Sequence, residues 1–100
     1  MPEWPFEDPP NVAVIADRRI VFEGDWVAYV THDEDDGAWQ FHVRRSTGTD
    51  ERHAALVSLQ SVVSRDPTVA ELADLPPGWC AFRTAKNAPW QRRRKQPSIS

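Results

Sequence analysis

Cysteine occurs once, at position 80, so no disulfide can close within the chain. Small secreted scaffolds rely on several such bridges, and a single thiol points to a reducing, cytoplasmic setting. Glycine is scarce too: the four residues at 24, 37, 48 and 78 form neither a phosphate-cradling loop nor a dinucleotide fingerprint, and no nucleotide cofactor is expected. The three histidines, at 32, 42 and 53, have no ligand spacing to one another or to Cys80, so no metal is expected. Long apolar runs are also missing. The longest, residues 12–16 and 26–30, are strand-sized and far short of the roughly twenty residues that cross a bilayer. The start, Met1-Pro2-Glu3-Trp4-Pro5-Phe6-Glu7-Asp8, is acidic and proline-interrupted, the opposite of an export signal, and none is expected.

What is present is ordinary globular material rich in tryptophan. One hundred residues, 40% hydrophobic and 27% charged, are enough for one core and one domain. Five Trp and four Phe each bring roughly 150–250 Å² of buriable surface, and Trp26, Trp39 and Trp79 are read as core. Charge is polarised along the chain. Residues 1–50 hold eleven acids and four Arg, a balance of −7, whereas residues 51–100 hold four acids and eight bases, a balance of +4. Such asymmetry can steer a charged partner if folding preserves it.

Residues 1–11 carry four prolines and read as an N-terminal arm, either pinned by Trp4 and Phe6 or free. Residues 12–16 form a β-branched run, ended by a turn at Asp17-Arg18-Arg19, and Ile20-Val21-Phe22 reads as a second short strand. Residues 26–31 and 38–43 flank a polar segment as an antiparallel hairpin does. In the second of these, period two puts Trp39, Phe41 and Val43 on one face and Ala38, Gln40 and His42 on the other. Residues 44–53 read as a loop. Leu56, Leu59, Val62 and Val63 recur at helical spacing up to the Asp66-Pro67 stop. Thr68-Val69-Ala70-Glu71 has the capping-box arrangement for a second helix, which Pro76-Pro77-Gly78 ends. Residues 79–84 read as a closing strand and 86–100 as a tail, basic over 91–100, with Trp90 as an anchor. Strands grouped before helices indicate a single α+β domain: a small, mainly antiparallel sheet with two short helices packed on one face.

No residue group assembles into a catalytic constellation, and an enzyme is not expected. His32 beside Asp33 has the makings of an acid-base or divalent-ion site, but a solvated loop accounts for both. His42 reads as a surface residue. Cys80, between Trp79 and Ala81 in a strand, lacks a glycine elbow or helix N-terminus to activate it and reads as a buried, inert thiol. Arg92-Arg93-Arg94-Lys95 after Trp90 is the one feature suited to nucleic acid, although the acidic first half opposes that contact. The run Asp33, Glu34, Asp35 and Asp36 crowds four carboxylates into one loop. It is either a solubility feature or a negatively charged partner-binding surface that speeds encounter with a basic protein.

The succession Val12-Ala13-Val14-Ile15-Ala16-Asp17-Arg18-Arg19-Ile20-Val21, then Trp26-Val27-Ala28-Tyr29-Val30, then Asp36-Gly37-Ala38-Trp39-Gln40-Phe41 resembles the front half of a bacterial polymorphic-toxin immunity protein family, immunity protein family thirty-three, formerly a domain of unknown function. Leu56-Val57-Ser58-Leu59, Arg65-Asp66-Pro67-Thr68-Val69, the stretch from Leu72 to Gly78, and Phe82 resemble its ending. The similarity spans residues 12–90. Where that family sets glycine directly before tryptophan and follows with a glycine-acid cluster, Ala38 intervenes here and Gly48, Asp50 and Glu51 come late. The resemblance implies a cytoplasmic, non-catalytic protein that neutralises a cognate toxin, and supplies no catalytic residues. A basic, nuclease-like toxin domain would suit the Asp33 to Asp36 loop, with Trp4, Tyr29 and Trp90 as candidate anchors. The alternative is a regulatory domain that touches nucleic acid through its basic tail.

Overall fold

The computed structural model describes residues 4–44 and 52–95. The first and last few residues, and the Gly48, Asp50 and Glu51 cluster, lie outside them. Six strands form one mixed sheet in the order β4-β1-β3-β2-β5-β6: β1 Ala13–Asp17, β2 Tyr29–His32, β3 Trp39–His42, β4 Ala54–Ser58, β5 Trp79–Phe82 and β6 Gln91–Arg94. Four of the pairings are antiparallel, and β1 runs parallel to β3. The fold is α+β as expected, with a mixed sheet in place of a mainly antiparallel one. The excursion through the next helix carries the chain past the site of β3 and lets the β2–β3 hairpin return beside β1.

That helix corrects the expected strand at Ile20-Val21-Phe22. Residues Arg18–Glu23 form α1, because the Asp17 carboxylate accepts from the Arg19 backbone N–H and caps it. Gly24 then ends it at φ 75°, a left-handed conformation that only glycine adopts cheaply. Ile20 is the residue α1 buries. Leu56 likewise belongs to a strand rather than to the predicted helix, which begins only at α2, Leu59–Arg65, where the Ser58 hydroxyl accepts from Ser61 N–H. Its neighbour is a 3₁₀ helix, Pro67–Leu72, capped by Asp66 and not by the Thr68 capping box. Proline at the first position of that turn rewards Asp66 as the cap, since its missing N–H costs nothing there. The basic segment expected as a tail contributes β6, paired to β5 along Trp79↔Arg94 to Phe82↔Gln91.

All three helical segments cover one sheet face. Ile20, Leu59, Val62, Val69 and Leu72 join Val14, Ala16, Val30, Trp39, Phe41 and Ala81 in a single buried cluster. The alternation expected across residues 38–43 is observed, with Trp39, Phe41 and Val43 buried. Trp79 is half-buried against the core. Trp26, also half-buried, stands beside the Arg83 guanidinium instead. The arm is pinned: Phe6 is 5% exposed and meets Trp39 edge-on at 5.4 Å, while Trp4 Nε1 donates to the Asp8 carbonyl at 2.6 Å.

No helix among the described residues is long and apolar enough to cross a membrane. The opposite sheet face carries Leu56, Ile15, Gln40, Thr31, Cys80 and Arg93 in one row across the strands. No helix covers that face among the described residues.

Candidate functional site

The β2–β3 loop is held in shape by its own backbone. Asp33 N–H donates to the Ala38 carbonyl, Gly37 N–H to the Asp33 carbonyl, and the Asp33 and Asp36 carboxylates accept from Asp35 and Ala38 N–H groups. Within that turn the four acids diverge. Glu34 lies against Gly78 at the head of β5, Asp35 is exposed, and Asp36 lines a cleft of about 660 Å³. Glu34, Asp35 and Asp36 are all exposed, and of the run only Asp36 lines the cleft.

The cleft gathers acids that the sequence scatters. Glu7 and Asp8 come from the arm, Asp36 from the hairpin loop, and Glu71 and Asp74 from the 3₁₀ helix and the turn after it. Linear reading missed four of these five because only folding brings residues 7–8 and 71–74 beside 36. Arg92 answers Asp74 with a 2.6 Å ion pair and also donates to the Glu71 carbonyl. That pairing holds the Asp74 carboxyl below its ordinary value. The described lining itself contains no Lys or Arg.

One wall is aromatic. His32 and Trp39, directly paired across β2 and β3, stack at 3.8 Å and 13° between planes. Both are fixed: His32 Nδ1–H donates to the Leu75 carbonyl at 2.7 Å, and Trp39 Nε1–H to the Asp8 carboxylate at 2.8 Å. Carboxylates converging on one cleft suit a guanidinium or ammonium group, which gains charge-assisted hydrogen bonds.

Apart from Arg92, basic residues of the second half are engaged with aromatic rings. Arg83 is sandwiched between Trp26 and Trp90, 4.3 Å from the Trp90 ring, whose Nε1–H donates to the Thr68 carbonyl. Arg93 lies over Phe82. Because Lys95 N–H donates to Gly78, and Gly78 N–H to His32, the end of β6 arrives at the same end of the sheet as the acidic loop. Folding thus interleaves the two charge halves that the sequence separates.

The other candidates are spread out. Cys80 is buried and free, next to Tyr29, whose hydroxyl is pushed up chiefly by burial. His42 is half-buried 5.9 Å from the Tyr29 ring, and burial pushes its pKa down. Among the described residues no group of His, Cys, Asp and Glu is arranged to hold a metal. Comparisons with protein-family models, with curated proteins and with solved structures find no match. Fold and cleft together define a class: a small α+β domain with an acidic cleft walled by a stacked His–Trp pair.

Proposed function

We propose that this chain acts by binding another protein: an immunity protein that neutralises a cognate toxin, its acidic cleft receiving a basic segment of that toxin. The observation that carries the reading is the convergence of Glu7, Asp8, Asp36, Glu71 and Asp74 on one cleft beside the His32–Trp39 stack. A Lys or Arg of the toxin would be held by the carboxylates beside the half-buried His32 ring, and rim charges would speed encounter. The chain would contribute shape and charge without a reaction of its own, in the bacterial cytoplasm. Of the loop acids Asp33 to Asp36, Asp36 belongs to this cleft. Trp4 and Trp90 as anchors have less support, since both indole N–H groups already bond within the chain.

The deciding experiment co-expresses the product of the adjacent reading frame with and without this chain. Rescue from toxicity is the expected result, and unchanged toxicity would overturn the immunity reading. With a purified toxin, the triple variant Glu7→Gln, Asp36→Asn, Glu71→Gln should slow association about tenfold at low salt and flatten its salt dependence. Neutralising Asp33, Glu34 and Asp35 should matter less. Equal effects from the two sets would move the interface off the cleft.

Contact with nucleic acid through Trp90 and residues 92–95 is the lesser alternative, because Arg83 already occupies one face of the Trp90 ring.

A further inference from the structure

The two edges of the sheet are built differently. β6, Gln91–Arg94, reads QRRR and is exposed throughout. Three arginines are a common device for keeping an edge strand from pairing with another chain. At the far side β4, Ala54–Ser58, reads AALVS, with no charge, no proline and no bulge. Its central Leu56 is 75% exposed, and the cross-strand partner Ile15 is 41% exposed beside it on the helix-free face.

The hydrogen-bond phase of this edge follows from its inner side. Arg18 N–H donates to the His53 carbonyl and Leu59 N–H to the Val12 carbonyl, so in the antiparallel ladder with β1 the odd residues 53 to 59 bond inward. Ala54 and Leu56 therefore aim their backbone N–H and C=O groups outward, away from β1, as Ser58 does its N–H, whereas the Ser58 carbonyl caps α2. These three positions are symmetric about Leu56.

From this we propose that the β4 edge is an interface between two copies of this chain, paired antiparallel about a two-fold axis at Leu56. In that register Leu56 faces Leu56 of the second copy, Ala54 faces Ser58 and Ser58 faces Ala54. Leu56 exchanges both backbone bonds with its counterpart, and each Ser58 N–H donates to the Ala54 carbonyl opposite, while the Ser58 carbonyl stays in α2. Leu56 and Ile15 of both copies then form one apolar cluster across the axis. A second copy fits because it brings an uncharged strand with the same outward phase and the same exposed Leu–Ile pair. Assembly stops at two, since the free ends of the joined sheet are both the arginine-bearing β6, and a closed two-fold leaves no further β4 edge. The proposal is independent of the toxin-binding reading, as β4 and the cleft share no residue.

The test is sedimentation equilibrium of the full chain over a range of concentrations. A reversible monomer–dimer equilibrium is expected, and a monomer at every concentration would overturn the proposal. Leu56→Lys sets two like charges opposite one another at the axis and should weaken dimerisation by about tenfold or more. Leu56 is exposed, so the thermal midpoint of the monomer should hold, and unchanged dimerisation would also overturn the proposal. Leu56→Cys gives a further check. Directly opposed residues lie about 5.5 Å apart between Cα atoms, within disulfide range, so mild oxidation should yield a covalent dimer. Ala54→Cys should not, because the two new thiols would sit roughly four residues, about 13 Å, out of register. Cys80 is buried and does not compete. Equal cross-linking at both positions would reject this register and with it the proposed axis.

Discussion

Arg83 and Asp66 form a buried ion pair that joins the final antiparallel strands to the break between the two C-terminal helical segments. The pair is fully committed. Asp66 Oδ2 also accepts from Val27 N–H, and Oδ1 from the Thr68 N–H and hydroxyl. Arg83 Nε donates to the Val27 carbonyl and Nη1 to the Lys86 carbonyl, with the flanking Trp26 and Trp90 rings over its plane. One aspartate thus caps a helix, fixes the start of the β2 approach and neutralises a buried guanidinium. No buried side-chain nitrogen or oxygen among the described residues lacks a partner.

Breaking this pair from one side should be costly. Asp66→Ala leaves Arg83 charged and buried and removes the 3₁₀ cap, so a loss of roughly 3–5 kcal/mol is expected in urea unfolding. Arg83→Met should cost less, since Asp66 keeps three other donors. The double variant should fall short of the sum of the two, and strict additivity would mean that the residues do not act as a unit.

The arm is part of the core. Phe6→Ala should lower stability by about 3 kcal/mol through the cavity left against Trp39, measurable as a drop in the urea midpoint. A neutral result would show that residues 4–8 dissociate without cost.

Two glycines test backbone conformation separately from space. A Cβ at Gly24 meets nothing within 4 Å, so Gly24→Ala should cost only the left-handed strain of roughly 1–2 kcal/mol. Gly78 has φ 87°, and a Cβ added there would meet the Glu34 side chain only at ordinary contact distance, 3.4 Å from Oε2, so Gly78→Ala should cost about the same left-handed strain. Adding Glu34→Ala should therefore recover little, and a large recovery would show that contact rather than backbone strain sets the cost.

Stability should decline toward acid in two stages. Burial lowers the His42 pKa from 6.5, so the unfolded chain binds a proton that the folded one resists, and stability falls as pH drops below 6.5 until the folded group also titrates. The Arg19 hydrogen bond lowers the Asp17 pKa from 3.8. Its contribution is complete above that value and disappears as pH falls through the lower folded value. His42→Gln should abolish the first stage in melting curves recorded against pH and leave the second.

Much of the architecture was legible in local patterns. The alternation of Trp39, Phe41 and Val43 located β3 and its buried face, the polar run between two apolar segments located the hairpin, and Pro67 located the helix break. Where reading failed, a side chain's local options were decided elsewhere. Ile20-Val21-Phe22 has strand composition, but the Asp17 cap and Gly24 make it a helix. Leu56 fits a helical period, but the ladder with β1 holds it extended. Arg92 to Arg94 look like a solvated tail until β5 offers them a pairing edge.

The sequence by itself determined the class of molecule: one thiol and a tryptophan-rich α+β domain with a single core. Periodicity and turn chemistry are local, and they survive in the chain as written. Only the tertiary structure decided which acids meet in the cleft, that Asp66 answers Arg83, and that one edge strand carries three arginines while the other, β4, carries no charge. Those are contacts between residues far apart in the chain, and they exist only once packing has closed the distance.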